Sequence, residues 1–103
     1  MINHMKCTHI RQKPSHVYQR CTVAALNGNL RELRLARNDG CQWDRTTCAA
    51  AALNGHLEVL QWARANGCPW NSDTCIAAAL NGHIAVLQWA RDNGCDWDVY
   101  IQS

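Results

Sequence analysis

Between Arg20 and Tyr100 the pattern of apolar and polar positions recurs with a period of 27 residues, three times over. Glycines fall in step at Gly28, Gly55 and Gly82, and again at Gly40, Gly67 and Gly94. So do Cys21, Cys48 and Cys75, then Cys41, Cys68 and Cys95, and finally Trp43, Trp70 and Trp97. The second and third units, Thr47 to Asp73 and Thr74 to Tyr100, agree at 19 of 27 positions, which chance does not produce. A fixed period of a few tens of residues marks a stack of like units, each of which buries its apolar face only against its neighbours.

Within one unit the pattern predicts a short helix, a tight turn, a second helix and a loop. Thr46 and Asp73 are placed to cap the first helix by accepting hydrogen bonds from its unpaired N–H groups, and the in-phase Gln19 is a poorer cap, so the first unit is expected to fray. From Cys48 to Leu53 alanines give high helix propensity and let neighbouring helices approach closely. Asn54-Gly55 ends the helix, since glycine enters the left-handed conformation at little steric cost. His56 opens the second helix, whose apolar stripe holds Leu57, Val59, Leu60, Trp62 and Ala63, leaving Glu58, Gln61 and Arg64 for water. Gly67 closes it, Pro69 cannot continue it, and Trp70 is large enough to cover the seam between units. Neither helix exceeds roughly ten residues, below the length that is stable alone in water, so packing between units must supply the rest.

Composition narrows the picture. A chain of 103 residues fits one small domain, and three units is about the minimum for a self-supporting stack. No run of eighteen apolar residues exists, and Met1-Ile2-Asn3-His4-Met5-Lys6 lacks the apolar core of a secretory signal, so the expected compartment is intracellular, cytoplasm or nucleus, with no membrane partner. Seven cysteines, six of them at equivalent repeat positions, read as reduced thiols packed as small apolar groups. The net charge of +2 argues against a dedicated nucleic-acid binder. Its distribution is uneven: Lys6, Arg11, Lys13, Arg20 and Arg31 precede the first acid, Glu32, so the first 31 residues carry +5 and the rest −3.

The passage Ala51-Ala52-Leu53-Asn54-Gly55-His56-Leu57-Glu58-Val59-Leu60, followed by Gly67 and Cys68, resembles the ankyrin repeat, whose pattern runs A-A-x-x-G-H-x-x-V-V and then G-A-D-V-N. The resemblance covers roughly four fifths of the chain and recurs at Gly28 and Gly40 and at Gly82 and Gly94. Two departures stand out. The T-P-L-H segment of that family becomes Thr46-Thr47-Cys48-Ala49 and Asp73-Thr74-Cys75-Ile76, without its proline and histidine. The unit is also shorter than the usual length of about 33, and the missing residues fall where that family projects a β-hairpin. The resemblance implies an all-α solenoid of stacked helix-turn-helix units with shortened connections that lack the hairpins. The expected organisation is a basic N-terminal segment at 1–19, a degenerate repeat or cap, then repeats at 20–46, 47–73 and 74–100 and a truncated tail at 101–103.

Candidate chemistry is sparse. His4, Cys7, His9, His16 and Cys21 form the one dense cluster of metal-ligand types, but the spacing H-x2-C-x-H is no established zinc pattern. A metal-stabilised or nucleic-acid-contacting module built on this basic segment is the alternative reading. Equivalent cysteines lie a whole repeat apart, far beyond the roughly 2.3 Å of a metal–thiolate bond, and read as core or seam residues. His56 and His83 each follow a turn glycine, and Asn29 replaces them in the first unit, which favours a positional role over acid–base catalysis. Arg37, Arg64 and Arg91 form an in-phase cationic row, read as a solvated face near helix ends. No nucleophile elbow, phosphate-cradling loop or paired-carboxylate arrangement appears, so no enzyme activity, no cofactor and no small-molecule substrate are expected.

The resemblance implies a protein-binding module, part of a larger adaptor, with its specificity at positions that vary between copies. These are Thr22, Ala49 and Ile76 on the first helix, and Gln42, Asp44, Arg45, Pro69, Asn71, Ser72, Asp96, Asp98 and Val99 in the connections. Drift on exposed loops explains the same variation. Val99-Tyr100-Ile101 begins another unit without completing it, from which self-association through uncapped ends or weak stability of the isolated chain is expected.

Overall fold

Alanine-rich segments and amphipathic segments alternate along the chain, and each becomes a helix. The computed structural model describes residues 14–95, with side chains from Arg20 onward. In chain order the elements are α1 (Pro14–Leu26), α2 (Leu30–Asn38), α3 (Arg45–Leu53), α4 (Leu57–Ala65), α5 (Ser72–Leu80) and α6 (Ile84–Asp92). Among the described residues there is no strand, in keeping with the all-α expectation. No helix among them is long and apolar enough to cross a membrane.

Each unit is a helix pair, α1 with α2, α3 with α4 and α5 with α6, and the first members stack directly, α1 on α3 on α5. Small side chains permit that approach: Ala24 and Ala25 on α1, Ala50, Ala51 and Ala52 on α3 and Ala78 on α5 are all buried. The outer helices send Leu33, Ala36, Val59, Leu60, Ala63, Val86 and Ala90 inward against this row. They pack chiefly on their own inner partner rather than on one another.

The Asn-Gly-His turn does more than end a helix. Gly28 and Gly55 take φ of 69° and 75°, and the imidazole of the next unit lies against each of them. A β-carbon at Gly28 would sit 2.5 Å from the His56 ring, and one at Gly55 2.6 Å from His83 Nδ1. Over Gly82, among the described residues, nothing lies within 4 Å of that point. The Leu26 carbonyl, at the end of α1, accepts from Asn54 Nδ2 at 2.8 Å and from His56 Nε2 at 3.1 Å, and the Leu53 carbonyl accepts from Asn81 Nδ2 at 2.7 Å. A carbonyl can only accept, so the His56 proton resides on Nε2. Helix-end carbonyls that would otherwise lack partners are thus satisfied by the following unit.

Two sequence expectations are corrected. The first helices of units two and three start earlier than Thr46 and Asp73: the caps are Asp44 and Asn71, whose side chains accept from the backbone N–H of Thr46 at 2.9 Å and of Asp73 at 3.0 Å. Their extended backbones, φ −152° and −149°, place the acceptor over the first turn, which a residue already inside the helix cannot do. The first unit does not begin at a weak cap near Gln19 either, because α1 runs back without interruption to Pro14. Proline suits a first helical turn, where its missing N–H is no loss. The helix therefore crosses the boundary between the basic segment and the first repeat.

Thr47 and Thr74, both fully buried at equivalent positions, differ in their bonding. Thr47 Oγ1 accepts from the Asp44 N–H at 3.5 Å and pairs with Thr22 Oγ1 at 3.4 Å, whereas Thr74 Oγ1 has no partner among the described residues. An unpaired buried hydroxyl costs about 1–3 kcal/mol. Thr74→Val is therefore expected to raise stability by about 1 kcal/mol and Thr47→Val to lower it. Urea midpoints of the two variants at equal m-value check this.

Candidate interaction surface

Across each seam between units runs an arginine–tryptophan–tryptophan stack. The Arg37 guanidinium lies 4.3 Å from the Trp43 ring centre, and Trp43 meets Trp62 of the next unit edge-on at 5.7 Å and 64°. Arg64, Trp70 and Trp89 repeat the arrangement at 4.3 Å, 5.7 Å and 65°. Arg37 and Arg64 also donate to the carbonyls of Cys41 and Cys68. This corrects the reading of these arginines as a solvated row, and of Arg64 as left for water. A planar guanidinium is weakly hydrated and stacks well on indole, and the carbonyl just past the glycine turn lies within its reach. Trp70 covers the seam as expected.

The six cysteines among the described residues are buried and none is in a disulfide, as the reading of packed thiols expects. The pairing within a unit was not visible in the repeat ladders: Cys48 and Cys68 share a hydrogen bond, which together with burial pushes the Cys68 thiol pKa upward. Burial likewise pushes Cys21 up. Thiols held in their neutral form behave as core atoms. Cys68 and Cys95 also donate to the carbonyls of Asp44 and Asn71, at 3.4 Å and 3.2 Å, tying each connection to the one before it.

Of the positions that vary between copies, three have duties inside the fold. Asp44 and Asn71 are caps, and the Thr22 hydroxyl lies 3.4 Å from those of both Thr46 and Thr47. Arg45 is exposed and Ala49 half-buried on α3, and the in-phase Ser72 and Ile76 are half-buried on α5, the spacing of four placing each pair in one stripe. Leu53 and Leu80 extend the two stripes, and Leu80 is 74% exposed. Gln42 and Pro69 are exposed in the connections. Asp96, Asp98 and Val99 lie outside the described residues, as do His4, Cys7 and His9 of the proposed metal cluster and the side chain of His16. Among the described residues no group of three or more metal-ligating side chains comes together.

A second surface lies on the outer side. Between α2 and α4 runs a groove of about 840 Å3 lined by Leu30, Arg31, Arg34, Leu35 and Arg37 on one wall and Trp62 on the other, with Asn38 and Asn66 at one end. Arg20 Nε bonds Glu32 at 2.8 Å and its Nη1 bonds Asp39 at 2.9 Å, so the acids next to this groove are engaged from the α1 side. The hydrogen bond to Glu32 and then that to Asp39 push the Arg20 pKa upward, fixing its charge.

No family model matches this chain, and no curated protein matches it.

His56 and His83 stand at the turns, half-buried and seated on the previous unit's glycine. The arrangement gives imidazole a mechanical part to play between units.

Proposed function

We propose that this chain is a non-catalytic protein-binding module, a solenoid of short ankyrin-like repeats that serves as the recognition part of a larger adaptor. The observation that carries the reading is a division of labour between positions. Residues kept in phase at Cys48, Asn54, Gly55, Leu60, Arg64 and Trp70 all have packing or bonding duties, whereas Arg45, Ala49, Ser72 and Ile76 change chemistry from unit to unit at in-phase, partly exposed helix positions. Positions released from packing in a repeat scaffold are those on which a partner is recognised. The rigid stack holds this face in a fixed shape, so binding does not have to order it.

The test is proximity labelling in the native cells with the full chain and with the double variant Ala49→Arg/Ile76→Arg, whose helicity is checked by circular dichroism. A partner set enriched by the native chain and lost in the folded variant is expected. An identical set for both would overturn the reading of this face as the recognition surface.

A further inference from the structure

The groove between α2 and α4 combines features that no packing requirement explains. Arg31 and Arg34 are exposed on its wall, three residues apart and so neighbours on one helix face, and neither forms an ion pair among the described residues. The corresponding residues are Glu58 and Gln61 in the second unit and Ala85 and Gln88 in the third, so the positive charge belongs to the first unit alone. The nearest acids, Glu32 on the same helix and Asp39 at its C-cap, both bond Arg20, which offsets one of their two charges. Glu58 is exposed on α4 but does not line the groove.

Apolar surface accompanies the charge. Leu35 is 45% exposed, standing where the other units place Trp62 and Trp89, and Trp62 forms the opposite wall. A concave site lined mostly by charged and polar groups, with Leu30, Leu35 and Trp62 as its apolar part, suits a peptide side chain flanked by carboxylates. Nucleic acid fits it less well. The chain lacks the broad basic face that tracks a phosphate backbone.

We propose that this groove binds an acidic peptide segment of a protein partner, with Arg31 and Arg34 holding carboxylates on either side of an aliphatic side chain that rests between Leu35 and Trp62. The inference rests on the reading of the chain as a protein-binding module and adds to it a second surface, on the outer helices, with its own chemistry.

The test is a titration of the isotope-labelled full chain, followed by amide and indole NMR, with a short peptide of glutamates flanking a central leucine. Its lysine counterpart and single-stranded oligothymidylate serve as the other arms. Expected are shifts concentrated at Arg31, Arg34, Leu35 and the Trp62 indole, loss of affinity at higher salt, and a dissociation constant weakened at least about tenfold in Arg31→Gln/Arg34→Gln. Leu35→Asp, also at an exposed position, is expected to weaken the acidic peptide without loss of helicity. Shifts elsewhere, equal binding of the lysine peptide, an unchanged constant in the arginine variant, or tighter binding of oligothymidylate in the groove would each overturn the proposal. A chain that keeps its cellular partners through the Ala49 and Ile76 face yet gives no shifts with the acidic peptide overturns the groove assignment alone and leaves the proposed function standing.

Discussion

Gly55→Ala is expected to destabilise the chain by about 2–5 kcal/mol, and Gly82→Ala by only about 1–2 kcal/mol. Both glycines have positive φ, 75° and 72°, so both variants carry the cost of a β-carbon in the left-handed region. Only at Gly55 does that carbon also meet the ring of His83, at 2.6 Å from Nδ1. His83 is the residue just before α6, so the clash is relieved by turning its ring aside or by moving one unit relative to the next. The expected difference between the variants is therefore the overpacking cost alone, about 1–3 kcal/mol. Denaturant unfolding of the two single variants measures it, and His83→Ala in the Gly55→Ala background should recover most of it. Equal destabilisation by the two substitutions would show that the imidazole does not lock the units.

A comparable loss is expected for Leu60→Ala. Leu60 is fully buried in the middle unit, and truncating such a leucine costs about 2–5 kcal/mol through lost transfer energy and the cavity left behind. That is a large share of the roughly 5–15 kcal/mol that stabilises a typical domain. Leu87, at the equivalent position of the third unit, is only partly buried, and Leu87→Ala is expected to cost about 1–2 kcal/mol. The same chemistry at two positions in phase thus separates the contribution of a fully buried leucine from that of a partly buried one. Thermal and urea melts of the two variants, read by far-ultraviolet circular dichroism, provide the comparison. Equal costs would mean that the difference in burial between the two positions does not govern the loss.

The repeat period, the helix pairs, the glycine turns and the role of Trp70 at the seam could be read from the chain because each rests on local chemistry that recurs. What could not be read depends on contacts between segments far apart. The cap position is one case: Asp44, Thr46 and Thr47 all carry a suitable oxygen, and only the extended backbone at Asp44 decides between them. The thiol pairing of Cys48 with Cys68 is another, since a comparison of copies aligns each cysteine with its equivalents and not with its partner. The stacking of Arg37 on Trp43 requires the chain to reverse at Gly40, which brings the end of α2 beneath the loop that follows it. The groove was legible only in part. The basic character of Arg31 and Arg34 is plain in the sequence, but their place on an open wall follows from the close approach of alanine-rich inner helices, which leaves the bulkier outer helices apart. The positions named for varying between copies include Asp44, Asn71 and Thr22, which cap or bond within the fold, because variation between copies does not distinguish a loose residue from one capping or bonding role filled by different side chains.

The imidazole resting on the preceding unit's glycine sets a rule for how such a chain can change. Adding or losing a few residues anywhere between one glycine and the next histidine would slide the ring off its support and misalign the Leu26 or Leu53 carbonyl with the amide that meets it. A gain or loss of 27 residues leaves every such meeting intact. Growth and shrinkage of the array are therefore quantised, and its ancestry is expected to be one of copied whole modules rather than of gradual insertion.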